Sequence, residues 1–236
     1  MVAPTLTINP GTTINAGVTL NGYNPVVTLT SGTSLGFNGT PGWVAVADNP
    51  GDWNLGDNWT IEWWEKLPDA GNDAYRGVIG QSVTSGLDFW HNAGYINVSN
   101  AQIQFNQPTP GIWHHIAVQK DGTTVKAYID GVSQTLLRND TGASTLANGG
   151  QEFIIGDRTF DGNSPLSQSF NGQLANIRIS SIARYSGTFI PPTTVAVDAN
   201  TRLALDSSVG SSGMLVDATG RHGIGNLGAT LTTITG

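Results

Sequence analysis

The stretch "WHHIAVQKDGTTVKAYIDG", residues 113–131, leaves this chain little choice of fold. Two alternating runs flank Asp121-Gly122, a dipeptide that favours tight hairpins, and a second turn follows at Asp130-Gly131. On the first run Trp113, His115 and Ala117 share one face, and His114, Ile116 and Val118 share the other. Apolar groups on both faces predict a central strand covered on both sides.

The same grammar runs through the rest of the chain. Short alternating or apolar runs are parted by Gly, Pro, Asn and Asp clusters about every 8–12 residues, the mark of a sandwich or barrel. Strands are predicted at 34–38, 43–46, 59–66, 77–81, 87–91, 95–98, 102–105, 113–120, 124–129, 132–136, 153–156, 172–180 and 202–205. The nearest helix candidate, 181–185, is too short to stand alone. Charged residues are only 11%, well under the usual ~25%, so Thr, Ser, Asn and Gln must keep the surface wet. A net charge of −7 with scattered Lys and Arg offers no face for phosphates, so no nucleic-acid partner is expected. The absence of cysteine excludes disulfides and thiolate metal sites. No apolar stretch reaches about 18 residues, so no membrane-spanning helix is expected. If Met1 is the native start, "MVAPTLTINPG" lacks the basic and apolar regions of an export signal.

The hairpin resembles the hallmark of laminin-G-like domains in the concanavalin A-like lectin/glucanase superfamily. Upstream, "SLGFNGTPGWVAVADNPGDWNLGDNWTIEWWEKLP" is similar to the opening strands of that family. Downstream, "FIIGD" and "FNGQLANIRISSIARYSGTFIPPT" resemble its later strands. The resemblance covers about 34–194 and implies an all-β fold, a jelly roll of two packed antiparallel sheets, with a short N-terminal β-rich extension. The segment 201–229 resembles one that usually precedes the opening strand. Here it comes last, either filling the edge an N-terminal strand would occupy or pairing beside the closing strand; residues 201–236 are read as C-terminal edge strands.

Fold alone does not assign chemistry. The glucanase relatives carry Glu-x-Asp-x-(x)-Glu on one strand; here "TIEWWEK" offers only Glu62 and Glu65, which point to opposite faces. Retaining hydrolysis needs two carboxyls about 5–5.5 Å apart, so no enzyme is expected. His115 reads as a buried, hydrogen-bonded histidine and His91 as a rim histidine. The resemblance implies a Ca²⁺ site on one rim, with Asp88 and Asn171 in the ligand positions; Asn in place of Asp should weaken it. Sugar binding needs aromatic faces beside planar polar groups. Two loops have that mixture: Trp90, His91, Asn92 and Tyr95 in one, and Arg158, Phe160, Asp161 and Asn163 in the other. Trp90 also suits a core position.

At the front of the chain Ile8, Ile14 and Leu20 recur every six residues, each between a Thr and an Asn. Such hexads belong to β-solenoids, which need at least about three repeats to be stable. Residues 1–30 are therefore expected to dock on their own jelly roll, to hold an accidental period, or to wind with copies from other chains, three of which would build a short β-prism. An uncharged oligomerising arm before a lectin-like jelly roll at 31–236 resembles the build of phage virion proteins. The expected function is a non-enzymatic virion surface protein: a capsid decoration protein, head fibre or tail-fibre tip. Its expected partners are capsid or fibre proteins, further copies in a homotrimer, and a host glycan. The alternative is a carbohydrate-binding or adhesin module on a bacterial surface.

Overall fold

The computed structural model describes residues 27–39, 41–49, 51–68, 75–81, 88–98, 103–140, 152–158, 168–210 and 212–235. Sixteen strands follow one another: β1 (Thr33–Asn38), β2 (Trp43–Val46), β3 (Asn58–Lys66), β4 (Arg76–Gly80), β5 (Asp88–Asn92), β6 (Tyr95–Val98), β7 (Ile103–Asn106) and β8 (Trp113–Asp121), then β9 (Thr124–Ile129), β10 (Val132–Ser133), β11 (Arg138–Asn139), β12 (Phe153–Ile155), β13 (Asn171–Ser180), β14 (Thr201–Leu205), β15 (Ile224–Leu227) and β16 (Thr230–Thr233). The one helical element among the described residues is a single 3₁₀ turn, Gly213–Leu215. The expected all-β, two-sheet antiparallel sandwich is what forms.

Each sheet has eight strands. Sheet A runs β10-β9-β8-β3-β13-β1-β16, with β14 also on β13; sheet B runs β11-β7-β6-β5-β4-β12-β2-β15. The core between them takes one parity from each strand: Trp59, Ile61 and Trp63 from β3, Ile116 and Val118 from β8, and Phe89, Ile96 and Phe105 from sheet B. One long strand, β13, serves two partners because a bulge at Asn176 (φ 47°) breaks its register between Ala175 and Arg178. Before the bulge it pairs with β1, and after it with β14.

In the C-terminal segment β14 lies beside the closing strand β13, while β15 and β16 add edges next to β2 and β1. His222 ties this segment down, with Nδ1 3.0 Å from the Ala47 carbonyl oxygen, Nε2 3.1 Å from that of Arg202, and its ring stacked on Trp53. The described chain begins at Val27, and Leu29 is already packed with Trp64, Trp113, Ala175 and Ile234. The body of the sandwich thus includes residues that the sequence assigned to the arm. The assembly residues Ile8, Ile14 and Leu20 lie outside the described residues.

A strap of residues 181–200, without regular secondary structure, crosses the outer face of sheet A. Side chains of the sheet hold its backbone: Thr60 Oγ1 donates to the Ile182 carbonyl (2.8 Å), Trp64 Nε1 to Pro192 (2.8 Å) and Asn176 Nδ2 to Thr193 (2.8 Å). Gln119 takes Tyr185 from both sides, donating to its carbonyl at 2.6 Å and accepting from its N–H at 2.9 Å. The Asp130-Gly131 turn anchors the strap too. The Phe189 N–H donates to the Gly131 carbonyl, and a Cβ at Gly131 (φ 76°) would collide with the Phe189 carbonyl. This strap is the outer cover that the two-faced apolar pattern of β8 demands.

Candidate functional site

On β5 alternate residues face outward from sheet B: Asp88, Trp90 and Asn92. Register then places two rungs side by side. Asn92 is opposite Tyr95 and Tyr95 opposite Asn106; Trp90 is opposite Asn97, Asn97 opposite Gln104, and Gln104 opposite Arg138. The result is a planar grid of amides with one phenol and one indole, spaced about 4.8 Å between strands and about 6.7 Å along them. Gln104 Nε2 donates to Asn97 Oδ1 at 2.9 Å, joining two members of the grid. The Trp90 indole N–H is buried with no hydrogen-bond partner among the described residues.

One flank of the grid is closed by Arg158. Its guanidinium lies over the Trp90 ring, 4.2 Å from the centroid, with half-exposed Tyr75 5.5 Å away on another side. Nε and Nη2 donate to Asp88 Oδ2 at 3.0 and 2.7 Å, and Nη1 donates to Gln168 at 2.9 Å. Burial pushes the Asp88 carboxyl up, and the charge and hydrogen bonds of Arg158 pull against that rise. Asp157 sets Arg158 in place: its Oδ1 accepts the N–H of Arg158 (2.7 Å) and of Gln168 (2.9 Å), and its Oδ2 accepts the Ser169 hydroxyl (2.8 Å). The close approach needs Gly77, because a Cβ there would strike the Asp157 carbonyl.

The structure thus brings Trp90, Asn92, Tyr95 and Arg158 to one face, while Phe160, Asp161 and Asn163 lie outside the described residues. His91 is a correction. It points between the sheets and is fully buried, not a rim group: Nε2 is 3.1 Å from Glu65 Oε2 and Nδ1 is 3.2 Å from Gln107 Oε1. Strand parity decides this, since the neighbour of two outward residues must face the core. Tyr75, Asn97, Gln104, Asn106 and Gln168 were not singled out in the sequence; only cross-strand register and the Asp157 clamp gather them.

The residues implied for calcium do not fit the ion. Asp88 is buried on sheet B with Arg158 donating to it, so a fixed cation already stands at that carboxylate. Asn171 begins β13 in sheet A, opposite Asn38. Among the described residues no three His, Asp or Glu side chains are grouped to hold a metal.

The two acids of β3 do point to opposite faces. Glu65 lies between the sheets, accepting from the Trp63 indole at 2.8 Å and meeting His91. Glu62 lies under the strap, where Arg178 donates to it at 2.6 Å, His115 Nε2 is 3.1 Å away and the Tyr185 hydroxyl donates to it. Burial alone would raise the Glu62 carboxyl; the bond to His115 and the charges of His115 and Arg178 outweigh it and lower it to about 2. His115 is buried and hydrogen-bonded, as its place in the sequence implied.

Fold and site together define a two-sheet β-sandwich of the lectin type, with one outer face strapped shut and the other carrying a polar and aromatic grid in which Trp90 and Asn97 are buried and Asn92, Tyr95, Gln104 and Asn106 are at least partly exposed. Residues 38–187 match the family model described as the concanavalin A-like lectin/glucanases superfamily, and the chain belongs to that superfamily. No curated protein matches it significantly in sequence. Among solved structures it is similar to a candidate carbohydrate binding protein from Bacteroides ovatus, at 16% identity and a TM-score of 0.61, over 90% of this chain and 62% of that one. It also resembles a heptameric SAP-like pentraxin from Limulus polyphemus (14% identity, TM-score 0.47, 65% of this chain and 78% of that one). A third is the LG4-5 region of mouse laminin α1 (19% identity, TM-score 0.44, 71% and 48%).

Proposed function

We propose that this chain is a non-catalytic glycan-binding module, displayed on a virion surface through its N-terminal segment. The exposed or partly exposed members of the two-rung grid, Asn92, Tyr95, Gln104 and Asn106, with Trp90 and Asn97 buried among them, carry the glycan reading. Planar amides offer donors and acceptors at roughly the scale of a sugar ring, and aromatic groups stand among them. The fold shared with the Bacteroides ovatus protein supports it. Glu62 and Glu65 support the non-catalytic part, because both are buried, held by other side chains and on opposite faces of β3. The superfamily also hosts hydrolases, so the module should release no reducing ends from β-glucans or agarose. Release that vanishes in Glu62→Gln would overturn this.

Binding of the full chain to a glycan array tests the glycan reading. Signal on a limited set of glycans is expected, reduced at least tenfold in Tyr95→Ala and in Asn92→Ala. Both side chains are partly exposed, so neither change is expected to unfold the protein. No binding to any glycan, or binding indifferent to both changes, would overturn it.

A further inference from the structure

We infer that the grid on sheet B selects neutral glycans and binds them without a metal ion; this rests on the glycan reading above. The charges on this face cancel in place. Arg158 directs two donors into Asp88 and a third to Gln168, so the fork that would grip a sugar carboxylate or sulfate is already filled from inside. Asp88 is buried, and Arg158 lies pinned on Trp90. The other cation of the grid, Arg138, donates to Asp140 at 2.9 Å.

What stays open is uncharged. Asn92 and Tyr95 are partly exposed and Asn106 is exposed, and none of the three has a side-chain hydrogen bond within the described residues. An amide and a phenol each donate and accept, and hydroxyl groups answer both. An anionic glycan would find the Arg158 fork filled and, at the margin of the grid, only Arg138, exposed and already paired through Nε with Asp140, while the net charge of −7 would repel it at longer range. A divalent ion bridging such a glycan to Asp88 would have to displace Arg158 and leave two cations side by side.

The test uses the full chain on matched glycans: neutral chains and their uronate, sialylated or sulfated counterparts, in EDTA and in millimolar calcium. Neutral chains should bind at least tenfold better than their anionic counterparts, with no change between EDTA and calcium. Asp88→Asn frees the Arg158 fork and should raise binding of carboxylated chains relative to neutral ones. If that buried substitution fails to fold, Tyr95→Phe, which removes one hydroxyl, should weaken neutral binding several-fold. Preference for anionic chains, or loss of binding in EDTA, would overturn the inference. If such binding were still abolished by Asn92→Ala, the glycan reading would survive that result. No binding to any chain would overturn both.

Discussion

Ala93 holds a left-handed backbone conformation (φ 51°) beside Gly94 (φ 85°), and these two residues form the turn that sets Asn92 opposite Tyr95. A Cβ in that region costs about 1–2 kcal/mol, whereas Asn tolerates it. Ala93→Asn should therefore raise stability, by up to about 1 kcal/mol in denaturant melts, with glycan binding kept; a lower midpoint would show that Ala93 carries no strain. Glu62 is the second residue with a testable energy. Its carboxyl is lowered from 4.5 to about 2 in the folded state, so its contribution is complete above pH 4.5 and is lost as pH falls through about 2. Thermal melts from pH 6 to 2 should show a steep acid limb that flattens in Glu62→Gln. The same variant leaves Arg178 and His115 without their carboxylate and should lose about 3–5 kcal/mol at neutral pH. His114 acts in the opposite sense. Burial lowers it, but the bond to Asp130 and the charges of Asp130 and Glu65 prevail and raise it, so the stability it adds is full below pH 6.5 and fades as pH rises through the higher folded value.

The strap is the element whose removal would change the molecule most. It has no strand partner, yet Thr60, Trp64, Gln119 and Asn176 hold its carbonyls, and Tyr185 and Phe189 stack upon each other over Tyr128. At its far end Arg184 donates to both oxygens of Asp198 (2.9 and 3.0 Å), and these bonds hold that carboxyl well below the usual range. Gln119→Ala would strand the N–H of Tyr185 and leave its carbonyl only the long bond from the Tyr128 hydroxyl (3.4 Å), and should cost about 1–3 kcal/mol. Hydrogen exchange should then quicken at the amides of 182–196 while β3 and β8 stay protected. Equal quickening in the strap and in β3 would mean that the strap and sheet open as one unit.

At the scale of the whole molecule the question is what residues 1–26 do. From Met1 to Ala47 there is no Asp, Glu, Lys or Arg, and an uncharged β-prone segment invites pairing. The virion reading therefore predicts trimers of the full chain, or its attachment to a capsid or fibre. A chain of 27–236 should be a folded monomer with its melting transition intact. The cut belongs at 26, not 30, since Leu29 packs against Trp64 and Ile234. Light scattering of both chains decides; a monomeric full chain without a virion partner would reduce the hexad period to accident.

Local alternation and turn chemistry determined which segments became strands. The predicted runs 43–46, 95–98 and 124–129 coincide with β2, β6 and β9 because the pleat and the Gly and Asn turns are short-range effects. The same parity correctly split Glu62 from Glu65. The short strand β11 escaped notice, and β15 and β16 were read only as edge strands without bounds somewhere in 201–236, since a weak pattern becomes a strand only when β7, β2 or β1 offers it a partner. His91 went astray for a related reason: an imidazole between aromatic and amide residues resembles a rim group until Glu65, twenty-six positions away, is found across the core. The site was legible in pieces, as Trp90, Asn92, Tyr95 and Arg158. Only tertiary structure joined Arg158 to Asp88 and drew Asn97, Gln104 and Asn106 into rungs, because register and inter-sheet contacts are set by partners that chain spacing does not specify.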